Sequence, residues 1–374
     1  MQELQVPDDQ QEDEGDITGS VDFRDAVVVS HDWTIETIYS QIKKENIDLQ
    51  PKFQRRAAWD TIRKSRLIES IIVGMPVPNI VLAENQEQRG KFIVIDGKQR
   101  LVSIKGFIED DFSLSGLDIR GDLNGKKYSD LVDDDRNNFD NSTLRSTVIK
   151  NWKDDNFLYA IFYRLNSGSL PLSPQELRKA LTGGKLIDHI EDYLINSAEF
   201  KSLFGDELDK RMRDSELVLR FLAFEKGIES YQGNFKKFLD DTTEYFENDW
   251  SNKVSEADLL LKRLDRALAT SKTIFGEDAF KKWTGDRYER VMNRAIFDAV
   301  ARFFGDEGVA ADVTSKREEV VEAFKSLCCE PEFKESVERT TKKKQATDYR
   351  IDAWGERLAA VLSKTYNQAI KEMA

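Results

Sequence analysis

The sequence predicts an α+β protein, with strands and helices mixed in its N-terminal part and a mostly helical C-terminal half. Three observations predict it. Two apolar runs, "NIVLAE" (79–84) and "KFIVID" (91–96), flank the polar stretch "NQEQRG" and read as paired strands. "KQRLVSIKGFI" (98–108) follows the second run almost at once, with helical spacing of its apolar residues. From about residue 186 onward nearly every stretch is helix-periodic, including "ELVLRFLAFEKGI", "EADLLLKRLDRALATSKTIF" and "RVMNRAIFDAVARFFG". No fixed internal period runs through this half, so a solenoid is not expected.

The remaining elements follow in order. "AVVVSHDWTIETIYSQIKKENI" reads as a short strand and then a helix capped near Asp32 or Thr34. "IDLQPKFQRRAAWD" is extended, because the residue before a proline avoids the α region. "TIRKSRLIESIIVG" has helical spacing at Ile62, Leu67, Ile71 and Ile72, and Gly74 with "MPVP" stops it. Residues 109–155 form a polar insert with few long apolar runs. "FLYAIFYRLNSGSLPLSPQELRKAL" predicts a strand-like run, a small-residue loop and a helix starting near Ser173, where Pro174 and Glu176 suit the first turn. "WGERLAAVLSKTYNQAI" carries the helical pattern almost to the end. The expected organisation is a disordered acidic tail (1–25), an N-terminal domain (26–185) containing the insert, and a helical domain (186–374).

Charge is unevenly spread. Nine acids against Arg24 in residues 1–25 account for most of the net charge of −13, so whole-chain charge says little about what the folded part binds. Residues 51–70 are locally basic, with Lys52, Arg55, Arg56, Arg63, Lys64 and Arg66 against Asp60 and Glu69. This segment is either an anion site, DNA included, or a solvated helix face. Only Cys328 and Cys329 occur, and their adjacency suits neither a disulfide framework nor zinc, which favours a reducing cytoplasm. No apolar run is long enough to span a membrane, and the first residues lack the pattern of a secretory signal. With only His31 and His189 available, both outside any such pattern, a His-Asn-His nuclease finger and most catalytic triads are disfavoured.

Three clusters carry the candidate chemistry. In "FIVIDGKQRL" a strand ends in Asp96-Gly97 and feeds a helix whose first residues are Lys98, Gln99 and Arg100. Free backbone N–H groups and the positive dipole end favour an anion there, phosphate above all. The alternative is a turn with solvated charges. Gln54 and Arg55 in "PKFQRRAAWD" repeat the Gln-Arg pair, and Trp59 beside them is either a stacking platform or a core residue. Arg164 and Asn166 precede "SGSLPLSPQEL", a loop that either approaches a ligand or simply leads into a capped helix. Asp96-Gly97-Lys98 also fits half of a metal-dependent nuclease core, which needs a further carboxylate that the sequence does not identify. "TGGK" at 182–185 lacks the full phosphate-loop pattern and reads as a helix stop.

Taken together, "PKFQRRAAWD", "RLIESIIVGMPVPNIVLAE", "FIVIDGKQRLVSIKGF" and "IFYRLNSGSLPLSPQELRKAL" resemble, in order and spacing, the GmrSD-type restriction endonuclease N-terminal domain family over roughly residues 30–185. The family's signature is usually Asp-Gly-Gln-Gln-Arg, and here Lys98 stands at the third place. The resemblance implies a ParB/sulfiredoxin-like fold, of a kind that binds nucleoside triphosphates in relatives, and a restriction or anti-phage defence role. It implies that Asp96, Gly97, Lys98, Gln99 and Arg100 face the phosphates, that Gln54 and Arg55 stand opposite, and that Arg164 and Asn166 join the pocket. Asp96 would hold Mg²⁺ or the attacking water, while Arg100 and Arg55 would stabilise charge on the transferred phosphoryl group. Many members carry a C-terminal His-Asn-His nuclease, whose pattern is missing here, so a separate nuclease subunit or a homo-oligomer is an expected partner. The alternatives are a DNA- or partner-binding module without turnover, and a nuclease acting at Asp96-Gly97-Lys98.

Overall fold

In the computed structural model, residues 25–49, 59–86, 88–153, 155–165, 173–182, 184–209, 211–339, 341–368 and 371–373 are described. The chain divides into two compact units, one extending to Ser173 and the other from Pro174.

In the N-terminal unit the elements are β1 (Val27–Thr34), α1 (Ile35–Lys43), β2 (Ile47–Asp48), α2 (Thr61–Ile72), β3 (Ile80–Glu84), β4 (Phe92–Asp96), α3 (Lys98–Ile108), α4 (Asp133–Asn141), β5 (Thr143–Lys150) and α5 (Asp155–Leu165). The strands form one mixed sheet in the order β1-β5-β3-β4-β2. β1 with β5 and β3 with β4 are antiparallel, whereas β5 with β3 and β4 with β2 are parallel. Local chemistry sets the helix starts. Thr34 caps α1 by accepting from the Thr37 amide at 3.2 Å, and Asp60 caps α2 by accepting from Arg63 at 2.8 Å. Asp32, the other expected cap of α1, lies inside β1.

Burial explains why β3 and β4 read as continuous apolar runs. Leu82, Val94, Leu144 and Val148 share one core with Ile38, Ile68, Leu101, Ile104 and Phe139 of α1 to α4. Val81, Ala83, Ile95 and Ile149 alternate with that set and are also buried. Helix α5 packs against β4, with Phe157, Leu158 and Ala160 buried. A strand covered on both faces needs no polar alternation.

Two local expectations fail here. "FLYAIFYRL" belongs to α5 rather than to a strand, because a short apolar run buried on a sheet has no distinguishing period. The polar insert also contains β5, a strand lying between β1 and β3. Its alternating buried positions, Leu144, Ser146 and Val148, carry a weak period-2 signal because Ser146 is polar, as are Arg145 and Thr147 between them.

The second unit, with residues from Pro174 onward, is helical. It comprises α6 (Pro174–Thr182), α7 (Lys185–Asn196), α8 (Ala198–Phe204), α9 (Arg213–Gly227), α10 (Phe235–Glu247), α11 (Trp250–Phe275), α12 (Arg294–Phe304), α13 (Glu307–Ser315), α14 (Arg317–Cys328), α15 (Pro331–Glu338) and α16 (Lys344–Leu362). The expected α+β fold, sheet first and helices after, is what the chain adopts. Helix α12 is buried nearly all round, and the Arg220–Asp298 pair (2.6 Å) and the Arg294–Glu216 pair (2.7 Å) lie in the interior.

The last helix stops earlier than its sequence pattern suggests. Ser363 turns left-handed (φ 57°), and Tyr366–Asn367 (β6) pairs with Glu372–Met373 (β7). The Tyr366 hydroxyl donates to Asp352 at 2.7 Å, and its ring lies against Gly355. A Cβ at Gly355 would fall 2.6 Å from that ring and 2.8 Å from Phe303.

Gly355→Ala therefore tests the packing by its sign. Helix propensity alone would stabilise α16 by about 1 kcal/mol. Overpacking against two rings costs about 1–3 kcal/mol and should win. Urea denaturation of the variant is expected to show a net loss, and a gain would contradict this packing.

Candidate functional site

The chemistry-bearing turn is built by a strand that is irregular at its end. Leu82 pairs with Val94, but the next residue back, Val81, pairs with Asp96, leaving Ile95 as an extra residue on β4. Such a bulge bends the strand and re-aims the side chain that follows it. Gly97 then takes a left-handed conformation (φ 95°, ψ 10°) and opens α3. Glycine is required twice over. Its φ is costly for other residues, and a Cβ would lie 2.5 Å from Ile80 Cγ2 and 3.1 Å from Arg100 Nη2.

This turn folds Arg100 back onto Asp96. Arg100 Nη2 donates to Asp96 Oδ2 at 2.7 Å and to the Asn79 carbonyl at 3.0 Å. Arg100 is only 7% exposed, and its Nε is buried without a hydrogen-bond partner. The Asp96 side chain keeps 28% of its surface, and among the described residues its Oδ1 accepts no hydrogen bond. Asn79 is itself tied to β5, since its side-chain amide donates to Thr147 Oγ1 at 3.1 Å. Sequence reasoning missed Asn79 and Thr147. Asn79 contributes to Arg100 through a main-chain oxygen, which no residue type advertises.

Helix α3 begins at Lys98, and Gly97, its N-cap residue, makes no side-chain cap hydrogen bond. Gln99 Oε1 accepts from the Trp59 amide at 3.4 Å, linking this turn to the residue just before α2. The Trp59 ring packs on the N-terminal core, the second of its two readings. The structure thus brings Asp96, Gly97 and Arg100 into one hydrogen-bonded turn, with Lys98 and Gln99 on the same first turn of helix. Arg164 is exposed in the last turn of α5. Gln54, Arg55 and Asn166 lie outside the described residues.

Gln175, Arg178 and Lys179 of α6 are buried inside the helical unit. Arg178 donates to Asp240 (2.7 Å) and Gln175 (2.6 Å), and Lys179 donates to Glu191 (2.8 Å). In the basic segment, Arg66 pairs with Asp118 at 2.9 Å and Lys64 lies 5.6 Å from the centre of the Phe112 ring. Among the described residues no group of three or more His, Cys, Asp or Glu converges to hold a metal. A single free carboxylate oxygen beside a helix N-terminus is nevertheless a fitting donor for Mg²⁺ that arrives on a phosphate chain, because Mg²⁺ commonly takes one carboxylate and completes its shell with phosphate and water.

The N-terminal unit is thus an α+β domain that displays an Asp-Gly-Lys-Gln-Arg turn at the end of a bulged strand. Residues 35–183 match the family model described as GmrSD restriction endonuclease, N-terminal domain. The match covers less than half of the chain and runs on through α6. It indicates a restriction- or defence-type role. No curated protein and no solved structure matches the chain significantly. Among the described residues no helix is long and apolar enough to cross a membrane.

Gly97→Ala is expected to destabilise the turn by at least about 2 kcal/mol, from left-handed strain plus the clash with Ile80. Hydrogen exchange should show faster amide exchange in β4 and α3. Unchanged protection there would contradict the geometry described.

Proposed function

We propose that the N-terminal unit binds a nucleoside triphosphate at the Asp96–Arg100 turn and hydrolyses it, and that this turnover gates a DNA-directed activity of restriction type. The observation that carries the reading is the buried arginine held to a part-exposed carboxylate around Gly97, at the N-terminus of α3. A helix N-terminus attracts phosphate, and Lys98 and Gln99 lie on that first turn. Asp96 orients the attacking water or faces the metal, and Mg²⁺ carried by the triphosphate would neutralise phosphate charge. Gln54, Arg55, Arg164 and Asn166 complete the proposed set. DNA contact through the basic 51–70 segment, and a nuclease subunit or second copy as partner, belong to the same proposal.

Removing Asp96 outright would strand a buried guanidinium, so Asp96→Asn is the better test because it keeps an oxygen for Arg100. The variant is expected to lose phosphate release from its preferred nucleoside triphosphate by about a hundredfold or more while retaining its circular dichroism spectrum. Undiminished release from a folded Asp96→Asn protein would overturn the assignment. Plasmid DNA, modified and unmodified, incubated with Mg²⁺ and each triphosphate then reports whether turnover and cleavage are linked.

A further inference from the structure

The arrangement around Arg100 bears on how the proposed site divides its work. Both hydrogen bonds made by Arg100 leave from Nη2, one to the Asp96 carboxylate and one to the Asn79 carbonyl. The group is almost fully buried, and its Nε is enclosed. Only 8% of the Arg100 side chain is exposed, so a phosphate finds little of the guanidinium to contact. Asp96, by contrast, has one oxygen fixed by Arg100 and the other unengaged among the described residues.

We infer that Arg100 is a positioning residue: it locks the Asp96 carboxylate so that Oδ1 faces outward for the metal carried by the nucleotide, and it does not itself contact the phosphates. This rests on the nucleotide-binding reading above and sharpens it. Phosphate contact then falls to the backbone amides at the start of α3 and to Gln99. A fixed carboxylate loses less freedom on meeting a cation than a free one, which is how a neighbour that touches no ligand raises affinity. Asn79 anchors the device from behind, through its carbonyl to Arg100 and its amide to Thr147.

The two roles for Arg100 separate in equilibrium binding by the full chain. The four ribonucleoside triphosphates are titrated in EDTA and in Mg²⁺, and the tightest binder is carried forward. Arg100→Gln is expected to leave the affinity in EDTA within about twofold of wild type and to lose about tenfold of the tightening that Mg²⁺ brings, the scale of a lost metal-orienting contact. Asp96→Asn should lose the same tightening, and the double variant should lose no more. Arg100→Lys, which keeps a charge near Asp96, should recover part of it and serves if Arg100→Gln does not fold.

A tenfold or greater loss in EDTA for either Arg100 variant would overturn the inference and make Arg100 a phosphate ligand. Wild-type binding that Mg²⁺ does not tighten would overturn the inference alone. Wild-type protein that binds no triphosphate in either condition would overturn the nucleotide reading and this inference with it.

Discussion

The Asp96–Arg100 ion pair is the interaction on which the candidate site depends. It closes a five-residue turn across a strand end and a helix start, and it needs three conditions at once. The bulge at Ile95 re-aims Asp96, Gly97 supplies the left-handed turn, and the Asn79 carbonyl gives the buried guanidinium a second acceptor. The two halves of the pair are unequal. A carboxylate with part of its surface in water tolerates losing its partner, whereas a buried guanidinium left with one carbonyl does not, at a cost on the order of 3–5 kcal/mol. The turn therefore holds its charge geometry from within, through Arg100, and presents it outward, through Asp96.

The sheet makes that geometry possible. β3 and β4 are buried on both faces, by the α1–α4 core and by residues beneath α5, so their end is held by packing rather than by the turn alone. Loops positioned by such a scaffold are where binding chemistry concentrates. In the helical unit the buried polar residues of α6 are paired as well: Arg178 with Asp240 and Gln175, and Lys179 with Glu191.

How much of this could be read in the sequence follows from which signals are local. The strand–turn–helix at 92–108 was legible because an apolar run, Asp-Gly and an apolar-periodic stretch are all contiguous. The helical half was legible from its period, except at residues 363–367, where Ser363 turns and Tyr366 folds back onto Gly355. β5 and α5 were missed for opposite reasons. The first is a strand whose alternating buried positions include the polar Ser146, and the second a buried helix with too little polar contrast to show a period. The Asp96, Gly97 and Arg100 cluster could be named from residue types, but not its internal order. Which side chain is buried, which oxygen is engaged and which carbonyl completes the set depend on Asn79 and Thr147, one on the approach to β3 and the other within β5.

Amide hydrogen exchange with and without Mg²⁺ and the nucleoside triphosphate tests the central claim most directly. The account predicts that ligand slows exchange at residues 97–101, where α3 opens, more than anywhere else in β4 or α3. Binding that leaves those amides unprotected, with protection confined to the helical unit, would contradict it.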